Sequence, residues 1–180
     1  MLLSFFQAGI AKFTTTGKTT HKKDLAMQAV AYGHVYVARV AMGADPQQTL
    51  KAFREAEAYD GPSLIIAYSH CISHGFDMRK GLDQQYKAVA CGHWPLMRFN
   101  PVLREEGKNP FLLDSPRPRI SLRDYRAGEL RYKILAQSDP AEAERLLDIG
   151  EQHVRRRYAE YEQLASRPAE TFTADARREL

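Results

Sequence analysis

Cysteine is scarce in this sequence. Two residues, Cys71 and Cys91, among 180 cannot form a disulfide framework, which sets aside the small stapled secreted scaffolds and points to a reducing compartment. Residues 1–8, MLLSFFQA, are apolar but have no basic leading region and no proper small-residue cleavage site, so no signal peptide is expected. No apolar run approaches the roughly 20 residues that a spanning helix needs, so no membrane location is expected and the cytoplasm fits best. A strong charge of one sign is missing too. The net charge is +4, with 13 basic and 10 acidic side chains in residues 1–116 and 13 and 12 in residues 117–180, so no basic tail exists. Arg155-Arg156-Arg157 is followed by Glu160 and Glu162 and reads as a solvated helix face, which argues against a nucleic-acid partner.

Phosphate-binding signatures are absent as well. Lys18, Lys22 and Lys23 beside Thr14–Thr16 suggest a phosphate site, but no Walker pattern and no Gly-x-Gly-x-x-Gly accompanies them, and a basic loop is the preferred reading.

What is present is an ordinary globular balance, 44% hydrophobic and 27% charged, in a chain long enough for one core. Asp24 caps a helix that Gly33 ends. VYVARVAMG (35–43) is a β-branched, nearly continuous run suited to a buried strand. Asp45-Pro46 starts a helix with Leu50, Phe53 and Ala56 or Glu57 at helical spacing, and Gly61-Pro62 breaks the chain before the strand SLIIAYS. Strand, helix and strand with short joints make a βαβ unit, so Val35–Met42 and Ser63–Ser69 are expected to be parallel neighbours. A helix over 81–92 and a strand in HWPLMRFNP complete an α/β segment over residues 22–100.

That is a small sheet for a doubly wound domain. A partial open parallel sheet, with edges and a face left bare, is the expected architecture. Residues 101–120, with Pro101, Pro110, Pro116 and Pro118, read as an arm. Residues 121–137 and 139–166 read as two helices, the second with the stripe Ala143, Leu146, Leu147, Ile149 or Gly150, Val154, Tyr158, Tyr161 and Leu164. Residues 167–180 read as a frayed tail. Tyr32, Tyr36, Phe53, Tyr59 and Trp94 are expected in packing roles, and His34 in a loop.

The stretch SLIIAYSHCISHG (63–75) carries the chemistry candidates. Open parallel sheets bind ligands beyond the carboxyl ends of their strands, and Cys71 sits just past such an end. Three readings stand. Cys71 is a half-buried loop thiol; or a nucleophile with His70 or His74 as base; or a zinc ligand with His70, His74, Cys91 and His93. The Cys-x-His spacing of the last pair is awkward for a tetrahedral site.

Several phrases together resemble one family: AKFTTTGKTTHKKDLAMQAVAYGHVYVARVAMGADPQQTLKAFREAEAYDGPSLIIAYSHCISHG, then KAVACGHWPLMRFNP, EEGKNPFLLDS and AQSDPAEAERLL, in that order. They are similar to the C-terminal part of pyruvate:ferredoxin (flavodoxin) oxidoreductase, over residues 9–166. The resemblance implies oxidative decarboxylation of pyruvate to acetyl-CoA, with thiamine diphosphate, magnesium and three [4Fe–4S] clusters, and with ferredoxin or flavodoxin, coenzyme A and a homodimer partner. It implies that residues 9–100 are part of a thiamine-diphosphate-binding domain, followed by the arm at 101–120 and the helices at 121–166. It also implies that Cys71 is the fourth ligand of the cluster nearest the thiamine; thiolates are the usual holders of such clusters. His70 and His74 match no family role.

The departures point to a fragment. The family's Gly-Asp-Gly segment is absent, residues 1–8 leave the family pattern, and the other three cluster ligands have no counterpart here. A truncated or split reading frame, or a decayed gene, inactive alone, is the expectation. A stand-alone α/β binding module with a Cys/His zinc site is the alternative, and a structural piece that docks its C-terminal helices on a partner is a third.

Overall fold

Residues 23–70 and 72–169 are described by a computed structural model. At its centre is β1 (Tyr36–Val40), buried at all five positions. The chain leaves β1 through a short loop into α2 (Pro46–Ala58), where the Asp45 side chain accepts from the Gln48 N–H and Pro46 occupies the first turn. It returns as β2 (Ser63–Ala67), parallel to β1 in the register Tyr36↔Ser63 to Val40↔Ala67. The expected βαβ unit is therefore present.

The sheet then departs from a purely parallel one. After α3 (Gly81–Ala90), the chain turns at Gly92, whose φ of 75° is in the left-handed region that glycine tolerates. The Trp94 indole N–H donates to the Val40 carbonyl at 3.1 Å. That bond pins the next strand's start to the carboxyl end of β1, so β3 (Met97–Phe99) has to run back down it, with Met97 opposite Arg39 and Phe99 opposite Val37. A short helix, α4 (Val102–Glu105), leads to β4 (Phe111–Leu113), antiparallel to β3. The order is β2-β1-β3-β4. The proline-rich stretch thus contains a strand that three residues of sequence do not announce.

Both faces of this sheet are covered, contrary to the bare face expected. On one face Tyr36, Ala38 and Val40 pack against Ala52 of α2. On the other, Val37, Met97, Phe99 and Phe111 pack against Ala26 and Ala29 of α1 (Leu25–Val30) and Tyr161 of α7 (Pro140–Ser166). The end of α7 is fastened there. The Tyr161 hydroxyl donates to Asp24 at 2.6 Å and accepts from Arg39 at 3.0 Å. The Asn109 amide donates to the carbonyls of Leu164, Ala165 and Arg167 where the helix ends, and the Leu164 carbonyl also accepts from the Arg167 N–H.

α2 presents a different face from the one its spacing suggested. Gln48, Thr49 and Ala52 are buried, whereas Leu50 and Phe53 are 45% and 54% exposed. The small Ala52 lets the helix lie close to β1, and Gln48 bonds the Arg39 carbonyl and Asp114. Tyr32, at 71% exposure, is also outside the core, while Tyr36 is fully inside.

The expected helix over 121–137 is two: α5 (Leu122–Arg126), opened by a capping box between Ser121 and Asp124, and α6 (Leu130–Ser138). The break at Ala127-Gly128-Glu129 turns the Glu129 side chain into the core. The stripe on α7 packs as its spacing predicts, with Leu146, Leu147, Gly150, Val154, Tyr158 and Tyr161 buried.

Candidate functional site

β1 and β2 have their carboxyl ends at the same end of the sheet, and the segments that follow them form the candidate site. Cys71 itself lies outside the described residues; His70 and Ile72 bracket it. The segment leaving β2 is held from several sides. The Tyr68 N–H donates to the Val40 carbonyl at 2.9 Å, which extends the ladder one residue past β2. Gln85 of α3 bridges the two strand ends: its Oε1 accepts from the Gly43 N–H at 2.7 Å and its Nε2 donates to the Tyr68 carbonyl at 3.4 Å. A Cβ at Gly43 would lie 2.7 Å from the Leu82 backbone, so the loop after β1 needs glycine to reach α3 this closely.

Below the loop the Tyr68 and Tyr125 hydroxyls share a buried hydrogen bond of 2.7 Å, and Trp94 meets the Tyr68 ring edge-on. Burial raises both phenols far above their ordinary values, so they stay neutral. The chain then makes a 3-10 turn, Ile72–His74, and reverses at Gly75, with φ of 70°. The Gly75 carbonyl accepts from the Leu130 N–H at 2.9 Å, and a Cβ at Gly75 would lie 2.5 Å from the Leu130 Cβ. α6 therefore sits directly against this turn. Its first residues are anchored by Glu129, which is completely buried and accepts from the Gln84 amide at 2.8 Å and from Arg131.

His70 and His74 flank the Cys71 position and both pack on Phe76, with ring centroids 5.2 Å and 6.4 Å away. His74 is buried, and that burial, helped by the positive charges of Arg131 and His70, lowers its pKa to about 4. At neutral pH it is an uncharged imidazole.

Cys91 and His93 are packed elsewhere. The Cys91 thiol is buried in the core, donates to the Ala88 carbonyl at 3.4 Å and has its pKa pushed up to about 11 by burial. The His93 ring stacks on Tyr125 at 4.9 Å, and burial holds its pKa well below the ordinary value. Among the described residues no group of three or more His, Cys, Asp or Glu is gathered as a metal site, so the zinc reading has no support there.

The three consecutive arginines also resolve into structure. Arg155 and Arg156 pair with Glu151 and Glu160 on α7, while Arg157 turns inward to donate to the carbonyls of Gly92 and His93. His34 is an exposed loop residue that contacts the Tyr32 carbonyl. Thr14–Thr16, Lys18 and Lys22 lie outside the described residues, and Lys23 is exposed. No described helix is long and apolar enough to cross a membrane.

Glu129, Gln84 and Gln85 were not singled out from the sequence. Their only signal there was position: Gln84 and Gln85 share the inward face of α3 with Ala88 and Val89, where a polar residue must have a partner. The surface of this end is apolar as well. Among the described residues twelve large hydrophobic side chains are exposed, and seven of them lie between the end of β1 and α6 around this site: Met42, Ile72, Met78, Leu82, Tyr86, Leu130 and Ile134.

No protein-family model matches the chain. Individual proteins do. The chain is 50% identical over 161 residues to the pyruvate-flavodoxin oxidoreductase of Nostoc sp., covering 89% of this chain and 13% of that protein. It is 51% identical over 156 residues to the pyruvate:ferredoxin oxidoreductase of Moorella thermoacetica, covering 87% and 13%. It is 42% identical over 167 residues to the mitochondrial NADP+ pyruvate dehydrogenase of Euglena gracilis, covering 92% and 9%. The chain thus spans about an eighth or less of the length of these curated relatives. By sequence the chain is similar to one segment of the pyruvate:ferredoxin/flavodoxin oxidoreductases, a small part of each.

Proposed function

We propose that this chain is a C-terminal segment of a cytoplasmic pyruvate:ferredoxin/flavodoxin oxidoreductase, which works only when joined to the rest of that enzyme. The observation that carries the reading is identity near 50% running through almost nine-tenths of the chain. In the complete enzyme the segment supplies residues beyond the carboxyl ends of β1 and β2, where open α/β sheets place their ligands. Cys71 is the ligand it brings to a [4Fe–4S] cluster.

The chain does not fit that cluster, or thiamine diphosphate and magnesium, by itself. One thiolate cannot hold four irons, and among the described residues no group of three or more His, Cys, Asp or Glu is assembled. Residues 101–120 and 121–166 act as scaffold: β4 extends the sheet, and α5, α6 and α7 support the Tyr68–Gly75 turn from below. Pyruvate, coenzyme A, the electron carrier and a homodimer partner are engaged by the larger protein. Relatives named for flavodoxin, ferredoxin and NADP+ share this segment at 42% identity or better, so the segment is common to enzymes named for different electron acceptors.

The test is complementation. The chain is co-expressed, without oxygen, with the Moorella thermoacetica enzyme deleted for the matching segment. Recovery of pyruvate-dependent ferredoxin reduction supports the reading. Formation of no complex, or of an inert one with the chain fully folded in it, overturns it.

A further inference from the structure

The two edges of the sheet are finished differently. β4 is three residues long, and its approach is fixed by Asn109, which accepts from the Phe111 N–H and ties the turn to the end of α7. β2 is five residues long, Ser-Leu-Ile-Ile-Ala, and carries no charge, no proline and no bulge. These are the devices by which proteins normally protect an edge, and β2 has none.

The ladder defines which groups face outward. The Tyr36 N–H donates to the Pro62 carbonyl and the Tyr68 N–H donates to the Val40 carbonyl, both at 2.9 Å. In a parallel strand, alternate residues turn their N–H and C=O to the same side. Leu64 and Ile66 therefore share the β1 side with Pro62 and Tyr68, and Ser63, Ile65 and Ala67 direct their N–H and C=O away from it. Among the described residues no strand lies on that side. Pro62 does not guard it either, because its place in the alternation is on the β1 side.

Side-chain burial agrees. β1 is buried at every position, whereas Leu64, Ile65 and Ile66 are each half-buried, with Ser63 and Ala67 exposed. Leu64 and Ile66 reach the face covered by α1 and α7, and Ile65 reaches the face covered by α2. Both covering layers thus stop at β2 with apolar side chains partly in water.

We infer that the outward edge of β2 receives a further strand from the portion of the same oxidoreductase that this chain does not contain. The inference rests on the proposed function and names the place where the two parts join. The occupant follows from length: about seven-eighths of each full-length relative lies outside the matched segment, ample for more strands of the sheet. A second copy of this chain is the competing occupant. Main-chain pairing at an edge supplies the affinity, and the alternate side chains supply the fit.

The experiment is residue-resolved amide hydrogen exchange, first on this chain alone and then on its complex with the Moorella thermoacetica enzyme lacking the matching segment. Leu64 and Ile66 are expected to be protected in both. Ser63, Ile65 and Ala67 are expected to exchange freely in the chain alone and about a hundredfold more slowly in the complex. Ile65→Pro, which deletes an outward N–H and no β1–β2 bond, should weaken the complex at least about tenfold while Leu64 and Ile66 stay protected. Slow exchange at Ser63, Ile65 and Ala67 in the chain alone would overturn the inference, because another part of this chain or a second copy already holds the edge. A complex that forms, protects the Tyr68–Gly75 turn and leaves these three amides fast would overturn the inference but keep the proposed function. No complex at all would overturn both.

Discussion

Glu129 offers the sharpest test of how the Ile72–Gly75 turn is supported. It is completely buried, and its carboxylate accepts from Arg131, itself 6% exposed, and from Gln84, which also donates to the Tyr125 carbonyl. Glu129→Gln keeps shape and one acceptor but removes the charge, leaving the Arg131 guanidinium buried without its carboxylate. Breaking one side of a buried ion pair costs about 3–5 kcal/mol. For a chain of this size that is a drop in Tm of roughly 6–20 °C, at about 2–4 °C per kcal/mol. The loss should be local as well as global. Leu130 begins α6 and bonds the Gly75 carbonyl, so amide exchange at Leu130 should rise before that of β1. Urea melts read at Trp94 measure the global term. The paired replacement Glu129→Leu with Arg131→Met removes both charges and should recover most of the stability, since a buried pair and its apolar substitute are often equivalent. A loss below about 1 kcal/mol for Glu129→Gln, with no recovery in the double variant, would refute the claim that this ion pair holds the turn.

Other outcomes follow from the same geometry. His74 titrates at about 4 when folded and 6.5 when unfolded, so the unfolded chain binds a proton that the folded chain does not. Stability should fall as pH drops from 6.5 towards 4, by about 1–2 kcal/mol after allowance for solvent screening, and urea melts at pH 7 and pH 5 should show a smaller loss for His74→Gln. Gly75→Ala should cost more than Gly107→Ala in thermal melts. Both positions have positive φ, worth about 1–2 kcal/mol, but only at Gly75 does the new Cβ meet another side chain, Leu130. Asp45→Ala should cost about 1 kcal/mol in urea melts, because it removes the acceptor for the Gln48 N–H at the start of α2.

Much of the fold was legible wherever a local signal and a tertiary demand agreed. Asp45-Pro46 gave the start of α2, and the continuous run in β1 gave a strand buried on both faces. The stripe on α7 gave its inward side. What escaped was set by distant partners. The antiparallel direction of β3 follows from one indole bond between Trp94 and Val40, which no spacing encodes. β4 is a strand because β3 lies beside it. The rotation of α2 misleads a pattern reading because its contact side is built of Gln48, Thr49 and Ala52 rather than its larger apolar residues. Asn109 and Tyr161, which fold α7 back onto the sheet, act across more than 50 residues of sequence. The site divides in the same way. The stretch after β2 stood out as a candidate because a strand ends there, while Glu129, Gln84 and Gln85 became visible only once α3, α5 and α6 were in contact around it.

The central claim is that this segment lends Cys71 to an iron–sulfur cluster of a larger oxidoreductase. The direct measurement is iron and sulfide content, with low-temperature EPR of the reduced protein, on the complex between this chain and the Moorella thermoacetica enzyme lacking the matching segment. The chain is used as wild type, as Cys71→Ser and as Cys91→Ser. The account predicts that Cys71→Ser loses the signal and the iron of one [4Fe–4S] cluster while the chain stays bound. Cys91→Ser, at a buried thiol bonded to the Ala88 carbonyl, should keep every cluster. Equal cluster content with and without Cys71, in a complex that has formed, would contradict it.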